Sequence, residues 1–255
     1  MTDARLRLTI DRGNTAVKVA LWDDFGNMLI ADSAVGVSSA GEVASRIAQG
    51  ILDKGERFHK AVYCSVVASE RDTDLASLRH IAHSLIDLNA ATPMPISINY
   101  DTPRTLGADR IAAAVGAHDI AKGKPVMVAD IGTAVTYDFV DADGRYLGGN
   151  IAPGVEMRLE ALHTFTSALP EVSVIGPVPL HGSDTLTAMR SGAVRGIAAE
   201  LRYYRAAAGP DVAVVLTGGS APLFTDSDLL DFKFIYEPFL VMKGLNRISH
   251  YNEKI

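Results

Sequence analysis

The chain has 255 residues but one cysteine, one tryptophan and no run of basic residues. Cys64 alone cannot close an internal disulfide, so the fold requires no oxidising compartment. It lies in the apolar stretch Lys60-Ala-Val-Tyr-Cys-Ser-Val-Val-Ala68, the setting of a buried structural thiol. No Lys/Arg cluster supplies the basic face that a polyanion calls for, and the formal charge is −6, so no nucleic acid partner is expected. No stretch approaches the roughly 18 apolar residues of a membrane span, so no membrane association and a cytoplasmic location are expected. Several chemistries lack their motifs. There is no Gly-x-Gly-x-x-Gly for a dinucleotide and no Gly-x-Ser-x-Gly nucleophile elbow. The seven histidines and one cysteine show no zinc spacing.

What is present is a balanced globular composition, 48% hydrophobic and 21% charged, enough for one large domain or two ordinary ones. Arg5–Ile10 alternates polar and apolar residues, which predicts a strand with one buried face. Thr15–Trp22 reads as a second strand, with Asp23–Gly26 as the turn that closes a hairpin. Apolar residues fall at helical spacing over Gly41–Leu52 and Ser77–Leu88, and Ala61–Val67 reads as a buried strand between them. Pro93–Ile98 leads into an extended segment ending at Tyr100. A helix is expected over Leu106–Ala121, with its N-terminus near Gly107. Lys122–Pro125 breaks the pattern before a strand that begins at Val126. Further on come a hairpin (Thr133–Gly144), helices near Gly154–Leu162 and Thr185–Ala208, a strand at Val212–Leu216 and a C-terminal helix near Met242–Ser249. Strands alternating with helices place the chain in the α/β class. The domain boundary is expected near residue 121, giving subdomains 1–121 and 122–255.

The two halves begin alike. Asp11-Arg-Gly-Asn-Thr-Ala-Val17 corresponds to Asp130-Ile-Gly-Thr-Ala-Val135, with Asn14 extra in the first copy. Both follow an apolar strand, and Thr15 to Gly26 spans the same length as Thr133 to Gly144. Gly13 and Gly132 permit close backbone approach. Thr15 and Thr133 offer hydroxyls beside backbone amides, a combination suited to phosphate oxygens. Asp11 and Asp130, at strand ends, suit metal ions or their waters, and Lys18 adds positive charge near a transferring phosphate. One copy would be explained by a tight hairpin alone. Two copies after equivalent strands favour phosphate clamps facing each other across a cleft.

Paired Asp-x-Gly-Thr hairpins head the related domains of actin, the heat-shock ATPases and sugar kinases. Four further motifs narrow the resemblance: Leu106-Gly-Ala-Asp-Arg-Ile111, Gly148-Gly-Asn-Ile-Ala-Pro-Gly154, Ala161-Leu162 with Leu169-Pro170, and Asp184-Thr185 before a helix holding Ser191-Gly192. With the two phosphate loops, in this order, the chain resembles the type III pantothenate kinase family over nearly its whole length. The resemblance implies a duplicated actin-like (ribonuclease H-like) two-domain α/β fold with central mixed sheets. It also implies transfer of the γ-phosphate of ATP to pantothenate, the first step of coenzyme A synthesis. It further implies a homodimer that requires Mg2+ and a monovalent cation, K+ or NH4+. By motif, Asp11, Arg12, Gly13, Asn14, Thr15, Ala16, Val17 and Lys18 would form the first ATP loop, and Thr133 would belong to the second. Asp130 would serve the monovalent cation. Tyr100, Gly107, Ala108, Asp109, Arg110 and Thr185 would bind pantothenate, with Asp109 as the catalytic base. Arg12 departs from the hydrophobic residue expected at its position, which predicts a side chain turned away from the loop.

The residues themselves carry part of this. Phosphoryl transfer needs a carboxylate to accept the hydroxyl proton, and Asp109 in a first helical turn after a glycine suits it. Arg110 offers a planar donor fork for a carboxylate. Without the resemblance, a carboxylate favouring the helix N-terminus and an arginine pairing on the surface would be the preferred account of the pair. Gly148-Gly149 and Pro153-Gly154 read either as turn chemistry or as a loop beside substrate. Thr217-Gly-Gly-Ser220 is similar to an adenosine-contacting loop or is a bare turn, and His163 fits packing.

Overall fold

The computed structural model describes residues 5–36, 39–52, 57–225 and 229–253, and forms two compact units. In the first unit, β1 (Arg7–Arg12) and β2 (Ala16–Trp22) make the expected hairpin, and β3 (Met28–Val35) extends it. After α1 (Ala40–Leu52) come β4 (Phe58–Ser65), α2 (Arg71–Ile81) and β5 (Ala82–Asp87). The strands lie in the order β3-β2-β1-β4-β5. Strand β1 therefore sits between an antiparallel neighbour, β2, and a parallel one, β4.

That central place corrects the expectation of one buried face, for all six residues of β1 are buried. The polar ones are matched inside. Thr9 accepts from the indole of Trp22 at 2.8 Å. Arg7 donates to both carboxylate oxygens of Glu253, at 2.8 and 3.0 Å, and to Asp24 at 2.9 Å. Burying a guanidinium is tolerable only with such partners.

The helix expected over Ser77–Leu88 is also corrected. It starts earlier, at Arg71, and ends at Ile81, after which Ala82–Asp87 becomes a strand. Leu85 and Ile86 pair with Ala61 and Val62 of β4, so an edge open to parallel pairing overrides the helical spacing. A second departure is β3, half-exposed along its length and too irregular in polarity to register as a strand.

Beyond β5 lie a two-residue strand, β6 (Ser97–Ile98), a 3-10 turn at Pro103–Thr105 and α3 (Ala108–Ala121). Then follow β7 (Val126–Ile131), β8 (Ala134–Val140), β9 (Arg145–Pro153), α4 (Val155–Thr164) and α5 (Thr185–Ala207). The second unit ends with β10 (Ala213–Thr217), the short α6 (Pro222–Thr225) and β11 (Ile235–Tyr236). Gly144 and the first two residues of β9 group with the first unit, where Arg145 and Tyr146 pair with Ser97 and Ile98. The last helix, α7 (Leu240–Tyr251), also belongs to the first unit. A Cβ on Gly244 would lie 1.8 Å from the carbonyl oxygen of Ala112, so α7 and α3 touch backbone to backbone.

The second unit repeats the first. Read from β9, its strands run β9-β8-β7-β10-β11, with β7 antiparallel to β8 and parallel to β10. Each element of the first sheet thus has a counterpart: β1 in β7, β2 in β8, β4 in β10. Each unit holds its own apolar core, around Leu8, Ile10 and Tyr63 in the first and Met127, Tyr137 and Leu216 in the second. Among the described residues no helix is long and apolar enough to cross a membrane.

Candidate active site

The duplicated loops are built alike down to their hydrogen bonds. The N–H of Gly13 donates to the carbonyl of Ala16, and that of Gly132 to the carbonyl of Ala134, both at 3.0 Å. The extra residue, Asn14, is absorbed within the first turn. Asp11 pairs across the hairpin with Lys18, and Asp130 with Thr136, so both carboxylates occupy the same strand position.

In the first unit Asp11 is buried and Lys18 exposed, with Asn14 and Thr15 open to solvent between them. Burial pushes the pKa of Asp11 up to about 6. The Lys18 ammonium opposes that rise, the Asp109 charge adds to it, and a hydrogen bond from Cys64 opposes it again. Asp109 and Asp11 therefore share one electrostatic neighbourhood. Asp109 stands in the first turn of α3, and its Oδ1 accepts the N–H of Arg110 at 2.8 Å. Gly107 makes room for this: a Cβ there would meet that same oxygen at 2.5 Å. Arg110 is buried, and Tyr100 packs edge-on to Tyr146 with ring centroids 6.1 Å apart.

Arg12 does turn away from the loop. Its guanidinium lies 3.3 Å from Asp74 and 3.8 Å from Glu70 on and before α2. Asp74 also accepts from the hydroxyl of Tyr63 and from the N–H of Ala40, at the start of α1. This buried carboxylate, which sequence reading did not single out, ties α1, α2 and β4 to the base of the first loop.

In the second unit two glycines make the loop possible. A Cβ on Gly154 would fall 2.2 Å from the carbonyl oxygen of Gly132 and 2.5 Å from that of Thr133. Gly218, with φ +96°, would place one 2.5 Å from Oδ1 of Asp130. Gly154, at the end of the Gly148–Gly154 motif, and Gly218, within Thr217–Ser220, both open readings in the sequence, thus wall the Asp130–Thr133 turn. Thr185 begins α5, exposed, directly after Asp184, whose side chain accepts the N–H of Thr187 at 2.9 Å.

A protein-family profile described as type III pantothenate kinase matches residues 7–206. The chain belongs to the type III pantothenate kinase family. A family member from Bacteroides fragilis is 42% identical over 251 residues, covering 97% of this chain and 98% of that protein. One from Phocaeicola vulgatus is 40% identical, with 98% and 100% covered, and one from Porphyromonas gingivalis is 39% identical, with 96% and 98% covered. Among solved structures, the activator of the 2-hydroxyisocaproyl-CoA dehydratase from Clostridium difficile, with bound ADPNP, aligns at TM-score 0.57 and 14% identity over 98% of this chain and 96% of that one. The (R)-2-hydroxyglutaryl-CoA dehydratase component A of Acidaminococcus fermentans aligns at 0.57 and 16%, with 97% and 98% covered. These likenesses give the fold, that of the actin-like ATPases and kinases.

The groups such a kinase uses can be tested against the residues present. Among the described residues no cluster of three or more His, Cys, Asp or Glu could hold a metal by itself. Mg2+ does not need one, since it takes one or two carboxylates and completes its shell with water and phosphate oxygens. Asp11, buried beside Lys18 and within the field of Asp109, fits that pattern. The two loops, closed by glycine amides and free of side-chain bulk at Gly154 and Gly218, fit phosphate. Sequence reading missed one participant here, Cys64, whose thiol donates to Asp11 at 3.4 Å. The duplication held the signal: Cys64 is the partner of Asp11 on β4, as Thr217 is the partner of Asp130 on β10.

Proposed function

We propose that the chain phosphorylates pantothenate with ATP, forming 4'-phosphopantothenate, the first step of coenzyme A biosynthesis. The observation that carries this reading is the repeated Asp-Gly-Thr turn on equivalent strands, joined in the first unit by Asp109 in the field of Asp11. The pantothenate hydroxyl oxygen forms a bond to the γ-phosphorus as the bond from phosphorus to the β,γ-bridging oxygen breaks. Asp109 accepts the hydroxyl proton, and ADP leaves with the bridging oxygen. Arg110, with Gly107, Ala108, Tyr100 and Thr185, binds pantothenate, its guanidinium meeting the carboxylate. The amides and hydroxyls of 13–16 and Thr133 hold phosphate oxygens, and Lys18 neutralises charge on them. Mg2+ held at Asp11 would supply charge neutralisation on the phosphates. Asp130 would serve a monovalent cation, K+ or NH4+, beside the second loop. The working form is a homodimer in the cytoplasm.

The test is formation of phosphopantothenate by purified protein with ATP and Mg2+, in K+ and then in Na+ buffer. Pantothenate-dependent product in K+, much reduced in Na+, is expected. No product in either buffer from folded protein would sink the activity, and equal rates in both would remove the monovalent site.

A further inference from the structure

The second unit carries a recess of about 1080 Å³ that the proposed reaction does not use. Its rim and floor come from the residues just before β7, from the beginnings of β10 and β11, and from the last turns of α5. Those three strands are parallel, so the recess lies at their N-terminal ends, whereas Asp130 and Thr217 stand at the C-terminal ends. It is a separate site in the same unit.

Its chemistry is cationic over an apolar floor. Lys124, Arg202, Arg205 and Lys233 line it against two carboxylates, Asp211 and Asp231, leaving an excess of two positive charges in a chain whose formal charge is −6. Arg202 uses one nitrogen on the carbonyl of Leu229 at 2.7 Å. Among the described residues, Lys124, Arg205 and Lys233 make no ion pair within 4.0 Å, so most of this donor capacity is unspent. Val212, Phe232 and Phe234, partly buried against the core of the unit, supply the apolar surface.

We propose that this recess binds an organic phosphate ester, its phosphate on Arg205, Lys233 and Lys124 and its organic body on Val212, Phe232 and Phe234. A guanidinium fork and two ammonium groups suit a dianionic phosphate, and the volume exceeds what inorganic phosphate alone would fill. Two sources share this chemistry, a nucleotide and a phosphorylated acid, and the test separates them.

Full-length wild type and the double variant Arg205→Glu/Lys233→Glu are compared by equilibrium dialysis against radiolabelled inorganic pyrophosphate at low ionic strength. Wild type is expected to bind one more equivalent per chain than the double variant. Melting temperature and pantothenate-dependent ATP turnover should match between the two. Lys124→Ala should weaken the extra equivalent several-fold without charge reversal. Equal binding by wild type and double variant overturns the site. The extra equivalent should be displaced by ADP or by 4'-phosphopantothenate at lower concentration than by inorganic phosphate, and the more effective of the two names the source. Displacement by inorganic phosphate at equal concentration overturns the part assigned to the apolar floor. Because binding is read directly, an inactive wild type would sink the kinase reading and leave this one standing.

Discussion

The thiol of Cys64 donates to Oδ1 of Asp11 at 3.4 Å, both side chains buried on adjacent parallel strands. Burial keeps the thiol protonated, holding its pKa well above the ordinary value, and the charge of Asp11 adds to that. A neutral donor therefore faces a carboxylate whose own pKa is raised to about 6.

That raised value has a stability cost with a definite sign. The folded protein holds the Asp11 proton up to about pH 6, while the unfolded chain releases it near the ordinary aspartate value of 3.8. Between those values the folded state binds more protons, so stability falls as pH rises through the window, by roughly 3 kcal/mol for a shift of this size. Asp11→Asn should then melt several degrees above wild type at pH 7.5 in metal-free buffer, with the gap closing toward pH 4, and should lose most kinase activity. Thermal denaturation across pH 4–8 checks it. A variant less stable than wild type at pH 7.5 would contradict the assignment.

Asp109→Asn should fold normally, since an amide oxygen can still accept the Arg110 N–H that Oδ1 accepts now. Activity should drop about 10²–10⁴-fold, the range for loss of a positioned base. The same substitution removes a charge that raises the pKa of Asp11, so the Asp11 titration, followed by carboxyl NMR, should move down. Near-wild-type turnover would end the role of Asp109 as base.

Gly154→Ala sets a methyl against the carbonyls of Gly132 and Thr133, backbone atoms that cannot step aside as a side chain would. A cost of about 1–3 kcal/mol is expected, with KM for ATP rising as the Thr133 turn is displaced. Gly192→Ala, inside α5 where a Cβ meets nothing within 4 Å, is the matched control: it should leave KM for ATP unchanged and raise stability slightly, by about 0.5–1 kcal/mol of helix propensity.

Arg7→Ala leaves Glu253 in a half-buried site without the guanidinium that holds its pKa down against burial. Breaking such a pair costs about 3–5 kcal/mol, and a melting temperature lower by about 10 °C is expected. Scanning calorimetry reads it, and a loss below 1 kcal/mol would mean that solvent replaces the pair.

The loops were legible because their information is local. Asp11, Gly13 and Thr15, and Asp130, Gly132 and Thr133, each lie within one turn, and their flanking strands are short apolar runs. The start of α3 was legible for the same reason, with Gly107 before Asp109. What escaped depends on pairing across the chain. Ala82–Asp87 carries helical spacing and becomes a strand only because β4 offers it a parallel edge. The buried role of Asp74 needs Arg12, Tyr63 and Ala40 brought together from separate elements. The part played by Gly154 and Gly218 was visible as glycine, but its object, the second turn, was not.

The return of α7 to the first unit bears on how the chain is made. The backbone contact of Gly244 with Ala112, and the Arg7–Glu253 pair, complete that unit with residues translated after all of the second. On the ribosome, the strands of the second unit are therefore all available before the first can close. The N-terminal sheet must wait with the α7-facing side of β1 uncovered, and nascent-chain protease protection should appear for residues 147–225 before it appears for 7–65.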